Sequence, residues 1–225
     1  MATVTISREH ASGGDEIAQH LCELLHYDLF DKRLIASIAR DLSLAAEDIE
    51  DLDEEERQLV RFFDRPFRRS RFPFQGDSLV GPSDVAAAKE AMEAAYGDHG
   101  IGPTRRLLRA AHRRGNVVVL GRGGHAVLAG LPEVLSVRIT APPELRAARV
   151  AAAANVSAAD ARRIMTHHDR LMADYIRRSY SLDWADAGRY DLVMNTAQIS
   201  YEGGAQLIAQ AVRVCAAPRE QPVAA

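Results

Sequence analysis

The stretch Ala11-Ser12-Gly13-Gly14-Asp15-Glu16 follows a β-branched run and precedes an amphipathic one. In that setting a flexible loop at a helix N-terminus can aim several backbone N–H groups at an anion. Against the phosphate-loop pattern GxxxxGK[ST], Gly14 takes the second glycine, Asp15 the lysine position, Glu16 the hydroxyl position and Glu9 the first glycine. Three of the four signature positions therefore differ. Composition alone favours a plain strand-to-helix turn, in which Asp15 and Glu16 suit the positive end of the helix dipole. Lys32 and Lys89 are the lysines among 28 basic residues. Any phosphate chemistry here must rest on arginine forks and backbone amides.

The elements around this loop alternate between strand and helix. Residues 3–7 (TVTIS) read as a strand, and Ile17, Leu21, Leu24 and Leu25 fall at helical spacing behind the loop. YDLFD follows as a short return strand; NVVVLG (116–121), LSVRIT (135–140) and YDLVMN (190–195) read as further strands. Continuous apolar strands separated by helices predict an α/β fold with a parallel sheet covered on both faces.

Two regions break the rhythm. Residues 45–82 run from acidic (EDIEDLDEEE) to basic and aromatic (RFFDRPFRRSRFPF), as expected of an insertion that covers something or meets a protein partner. Residues 157–181 open on Ser157 and Asp160 at capping-box spacing and continue as a long helix. Arg163, His167, Arg170, Asp174 and Arg177 share one face of it, a line of cations that taken alone reads as a solvated face.

The chain has 225 residues and a formal charge of -3, enough length for one elaborated domain and no global basic field for nucleic acid. A basic, apolar leader and an apolar run of about 20 residues are both absent, so the expectation is a cytoplasmic protein with no membrane partner. Cys22 and Cys215 each lie in an apolar helical pattern and read as buried free thiols.

Four blocks, TISREHASGGDEIAQHLCELLHYDLFDKRLI, GNVVVLGRGGHAVL, VLSVRITAPPELRAARV and HDRLMADYIRRSYSLDWADAGRYDLVMNT, resemble in order the cytidylate kinase-like family, a nucleoside monophosphate kinase branch of the P-loop NTPases. The resemblance implies a single kinase-like domain over 1–225: a parallel five-stranded core, an acceptor-binding insertion at 45–102 and a helical lid at 157–181. It implies ATP and Mg²⁺ as cofactors and small-molecule nucleotide substrates. Carried over by position, it places donor phosphate on Ser12, Gly13 and Gly14 and acceptor on Asp31, Lys32 and Arg122. It places Asp169, Arg170, Arg177 and Arg178 in the lid, and Trp184 and Tyr190 at packing positions. Asp31 and Lys32 read equally as a helix N-cap and a first-turn lysine.

The departures from the family pattern are Asp15 for lysine, Glu16 for the hydroxyl, Gly123 for an acid and Met172 for a lid arginine. A carboxylate about 4 Å from a phosphate charge is repelled by roughly 4 kcal/mol at a partly screened surface. Either Asp15 turns away from the phosphates, or Asp15 and Glu16 hold the metal while Arg8, Arg170 and Arg177 supply positive charge. The reading is therefore ATP-dependent phosphoryl transfer through a degenerate loop. The alternatives are a non-catalytic nucleotide-binding module and an interaction protein acting through 45–82.

Overall fold

The computed structural model describes residues 2–31 and 101–215; the 45–82 segment and Lys32 lie outside the described residues. Strand β1 (Thr3–Arg8) leads through the glycine loop into α1 (Gly14–Leu25), and β2 (Asp28–Phe30) follows. The described chain resumes with α2 (Ile101–Arg114), β3 (Val117–Leu120), the short α3 (Gly124–Val127) and β4 (Val134–Thr140). It continues through α4 (Pro143–Ala154), α5 (Ala158–Tyr180), β5 (Leu192–Asn195) and α6 (Tyr201–Cys215).

The five strands form one parallel sheet in the order β2-β3-β1-β4-β5. Thr3 of β1 pairs with Val117 on one side and Val134 on the other. The connection leaving β1 runs toward β2 and that leaving β4 runs toward β5, so a crevice opens at the carboxyl ends of the central strands. In open α/β sheets that is where ligands bind.

One face of the sheet is fully apolar. Val4, Ile6, Val118, Val137 and Ile139 pack under Ile17 and Leu21 of α1 and Ile208 and Val212 of α6. Each such side chain contributes roughly 1.5–3 kcal/mol by leaving water. The opposite face is apolar only around β2 and β3, where Phe30, Val117 and Val119 meet Leu107, Leu108 and Leu128. Over β1 and β4 it is polar instead, with buried Thr5, Ser7, Ser136 and Arg138.

Strands β1, β3 and β4 are buried on both faces as expected, but only β3 is apolar on both; the second face of β1 and β4 is polar. Alternate residues there are hydroxyls and an arginine, and their hydrogen bonds are satisfied within the layer. Thr5 and Ser136 hydroxyls lie 3.0 Å apart, and Arg138 donates to the Trp184 carbonyl at 2.7 Å. Trp184 Nε1 donates to Ser7 Oγ at 2.6 Å, and the Arg138 guanidinium sits 4.3 Å from the Trp184 ring centroid. Trp184 and Tyr190 are packing residues of this layer, both buried, with the Tyr190 hydroxyl donating to the Trp184 carbonyl.

Helix α5 begins as its capping signal predicts: Ser157 Oγ accepts the Asp160 N–H at 3.1 Å. Both cysteines are free thiols packed against the apolar face. Among the described residues no helix is long and apolar enough to cross a membrane.

Candidate functional site

The loop from Glu9 to Gly13 crosses the carboxyl end of β1 and is held from its outer side. Arg146 Nη1 donates to the His10 carbonyl at 3.2 Å, Arg149 Nη1 to the Ala11 carbonyl at 3.1 Å and Thr196 Oγ1 to the Ser12 carbonyl at 2.6 Å. In a planar trans peptide the N–H of the next residue points opposite to the carbonyl. Fixing these carbonyls toward α4 and the segment after β5 therefore directs the Ala11 and Gly13 N–H groups the other way. The first N–H groups of α1 follow, and they lack partners within the helix.

The two glycines are demanded by packing as well as conformation. Gly13 caps α1 with φ +86°, and a Cβ there would lie 2.2 Å from Tyr201 Cε1. A Cβ at Gly14 would lie 2.5 Å from Arg8 Cβ. Beside them Ser12 is 0 % exposed, and its Oγ has no hydrogen-bond partner among the described residues. A buried hydroxyl left unbonded costs free energy until something meets it. It fits an oxyanion of the kind the loop geometry suits.

Two of the three acids that break the phosphate-loop pattern, Asp15 and Glu9, are met by arginine. Asp15 Oδ1 accepts from Arg8 Nη2 at 2.8 Å and from Arg8 Nε at 3.2 Å, with both side chains largely buried. Glu9, at the first-glycine position, lies 3.6 Å from Arg138 and 3.5 Å from Arg146, and accepts the Ala141 N–H. Among the described residues no three His, Cys, Asp or Glu side chains converge as a metal site. Magnesium characteristically uses one or two carboxylates together with substrate phosphates. Asp15 or Glu16 could supply at most that share, and Asp15 is already engaged by Arg8.

Asp169 of α5 reaches the loop directly. Its Oδ1 accepts the His10 N–H at 2.8 Å and its Oδ2 accepts from Arg146 Nη1 at 2.6 Å. The His10 and His168 rings stack at 4.4 Å. The helix read as a lid is thus clipped to the loop after β1. Arg170 and Arg177, by contrast, are 82 % and 73 % exposed and flank Asp174 of the same helix. Arg178 donates to the Asp174 carbonyl and is also exposed.

The turn after β3 lies across the crevice. Gly121, Arg122 and Gly123 all have positive φ, at +74°, +57° and +69°. Left-handed backbone at a non-glycine residue is a local strain that tends to mark functional turns. Arg122 is 6 % exposed, so its side chain is buried beside the cleft rather than displayed at its mouth. Ser7, Arg8, Gly121, Gly123, His125 and Trp184 line a small cleft here, with Met172 and Ile176 of α5 closing it. His125, also 6 % exposed, has no partner for Nε2 among the described residues; burial first, then the charges of Arg138 and Arg189, push its pKa down to about 4. It is a neutral imidazole in the cleft wall. Asp31, just past β2, is half-buried.

Sequence reasoning passed over the outer clamp, Arg146, Arg149 and Thr196, and the wall residue His125. The clamp residues lie more than 130 positions from the loop, and only the sheet order brings them to it. The one available signal was an arginine pair three residues apart on α4, on the same helical face.

A family model described as the cytidylate kinase-like family matches residues 3–198. No curated protein matches the chain significantly. Among solved structures, an uncharacterized protein from Eubacterium ventriosum superposes with a TM-score of 0.60 at 17 % identity, covering 95 % of this chain and 99 % of that one. Shikimate kinase from Acinetobacter baumannii, in complex with shikimate, superposes with a TM-score of 0.50 at 14 % identity, covering 97 % and 96 %. At these identities the likeness is one of fold, a P-loop kinase-type parallel sheet. The family match spans most of the chain, from the first strand past the last, and on that ground the chain belongs to the cytidylate kinase-like family.

Proposed function

We infer that the protein transfers the γ-phosphoryl group of ATP to a nucleoside monophosphate or another small acceptor, with Mg²⁺. The observation that carries this reading is the loop clamp: three consecutive carbonyls pinned outward beside a buried, unbonded Ser12 hydroxyl. That arrangement suits the binding of polyphosphate oxygens by backbone N–H groups at the start of α1. Gly13 and Gly14 let the chain pass close to the phosphates. Arg122, in the strained turn after β3, and Asp31 with Lys32 are the groups proposed to hold the acceptor across the crevice. Asp169 joins α5 to the loop, and Arg170 and Arg177 are the cations that closure of the 157–181 helix would bring toward the transferring group.

Bound Mg²⁺ supplies charge neutralisation at the donor phosphates. The chain's own contribution is positioning and electrostatic complementarity to the charge that develops on transfer. A second reading, a nucleotide-binding protein without turnover, is favoured by Asp15, Glu16 and Gly123, which replace the lysine, hydroxyl and acid of related kinases. Incubation with ATP, Mg²⁺ and a panel of nucleoside monophosphates, with products resolved by chromatography, separates the two. Formation of ADP and a diphosphate supports transfer; ATP binding without either product supports the second reading. Arg122→Ala should weaken the accepted monophosphate about 10- to 100-fold, and Arg122→Lys should recover only part of that.

A further inference from the structure

We propose that His125 reads the acceptor, sharing a hydrogen bond through Nε2 with one small uncharged polar group of it, a hydroxyl or an amino group. This rests on the phosphoryl-transfer reading above and adds to it the residue that tells one acceptor from another. His125 is the second residue of α3, directly after the turn that carries the proposed acceptor arginine. That short helix sits hard against the sheet: a Cβ on Gly124 would lie 2.7 Å from Val119 Cγ1 and 3.4 Å from Thr5 Cβ. The imidazole shares the wall of the cleft with Ser7 of β1, and its ring centroid lies 5.0 Å from that of Tyr190. Gly121 and Gly123, on either side of Arg122, form another wall of the same cleft.

The side chain is 6 % exposed, and Nε2 has no hydrogen-bond partner among the described residues. Buried polar atoms are normally paired, and an unpaired one costs free energy that a ligand can remove. The polar groups nearby are committed elsewhere. Ser7 Oγ accepts from Trp184 Nε1 at 2.6 Å, and Arg138 donates to the Trp184 carbonyl at 2.7 Å. The remaining walls are the Trp184 ring, Met172 and Ile176, which suit an uncharged guest. The free space is about 10 Å³, the room of one water-sized group. A hydroxyl or an amino group fits it and a heterocyclic ring does not. Burial, with Arg138 and Arg189 close by, keeps the imidazole neutral. At neutral pH Nε2 therefore offers one hydrogen bond, as donor or acceptor according to tautomer, and no ion pair. That chemistry selects a neutral polar group over a carboxylate or a second phosphate.

The test uses the full chain, with affinity read by titration calorimetry and folding checked by thermal melting. The probes are monophosphate pairs that differ at one polar group: CMP against dCMP for a hydroxyl, CMP against UMP and AMP against IMP for an amino group. The parent should favour one member of at least one pair by about 3- to 10-fold. His125→Phe, which keeps a planar ring and loses the nitrogen, should bring that ratio close to one. His125→Gln, which keeps a donor and an acceptor, should retain part of it. A merely structural role would weaken both members of a pair alike and leave the ratio where it was. An unchanged ratio in His125→Phe, or no preference in any pair for the parent, overturns the proposal and leaves the transfer reading standing. In the parent, where no variant has to fold, the imidazole nitrogen NMR resonance of His125 should shift with the favoured monophosphate and hold still with inorganic phosphate. No shift with the monophosphate, or the same shift with phosphate alone, also overturns it. If the parent binds monophosphates but transfers nothing, the kinase reading fails while the pair ratios still decide the role of His125. If it binds no monophosphate, the acceptor reading falls and the proposal with it.

Discussion

Removing the charge of Asp169 while keeping its shape tests the framework around the loop. Asp169→Asn can retain the His10 N–H bond through its carbonyl oxygen but turns an amide NH₂ toward Arg146 Nη1, where the carboxylate now sits at 2.6 Å. A hydrogen bond to a charged group contributes about 1.5–3 kcal/mol, and stripping a partner from a buried pair costs about 3–5. Arg146 is 5 % exposed, but Glu9 at 3.5 Å and the Ala141 and His10 carbonyls still receive it, and Asp169 keeps some contact with water. The lower end applies, about 2 kcal/mol. For a domain of this size that is a fall in Tm of about 4–8 °C. Urea titration gives the free energy directly, provided the m-value is unchanged. A cycle with Arg146→Met isolates the pair: the double variant should lose at least about 1 kcal/mol less than the two singles together. Additivity within about 0.5 kcal/mol would refute the view that Asp169 acts on the loop through Arg146.

Three further outcomes follow from the same geometry. Gly13→Ala forces a side chain into left-handed backbone, worth about 1–2 kcal/mol, and into the Tyr201 ring; urea titration should show the larger combined loss in the single variant and only the backbone share in a Tyr201→Ala background. Burial holds His125 at about 4 against an ordinary 6.5, so below pH 6.5 the unfolded chain binds the extra proton. Its contribution is complete above that pH and is lost as pH falls toward 4, by about 3 kcal/mol in all; stability of His125→Gln should fall less steeply over this window, and an identical slope would contradict it. Burial, then the charges of Asp28 and Glu23, push the Cys22 thiol up to about 12. Its thiolate is then roughly a thousandfold scarcer than in a free thiol, so alkylation of native protein at pH 8 should spare Cys22; labelling at the rate of the unfolded chain would count against this.

The strands were legible because each is a compact apolar or β-branched run bounded by turn residues, and VVVL of β3 is buried throughout as such a run implies. The Ser157 cap was legible because its partner lies three residues away. What escaped was whatever depends on strand order. LSVRIT reads along the chain as a continuous strand run, yet Ser136 and Arg138 face a polar layer completed by Ser7, Trp184 and Tyr190, residues that meet only once β1 and β4 are neighbours. Arg8 reads along the chain as a possible source of positive charge, but its pairing with Asp15 depends on how the loop doubles back between strand and helix. Spacing along the chain does not encode that.

The same point bears on how a broken motif is weighed. Counted along the sequence, Glu9 and Asp15 are two negative charges where a phosphate loop has a glycine and a lysine, and a bare carboxylate near phosphate would cost roughly 4 kcal/mol. In the folded chain neither is bare. Arg8 lies 2.8 Å from Asp15, Arg138 and Arg146 flank Glu9, and Arg149 holds the next turn of the loop. Four arginines thus surround the three carboxylates of Glu9, Asp15 and Asp169, and Glu16 brings the local balance to about neutral rather than strongly negative. With net charge cancelled, direction decides what the site attracts, because fixed dipoles and a fixed fork act at contact distance where a diffuse field would be screened. The clamped carbonyls supply that direction. It is on such fixed dipoles, and not on a lysine, that the proposed phosphate reading rests.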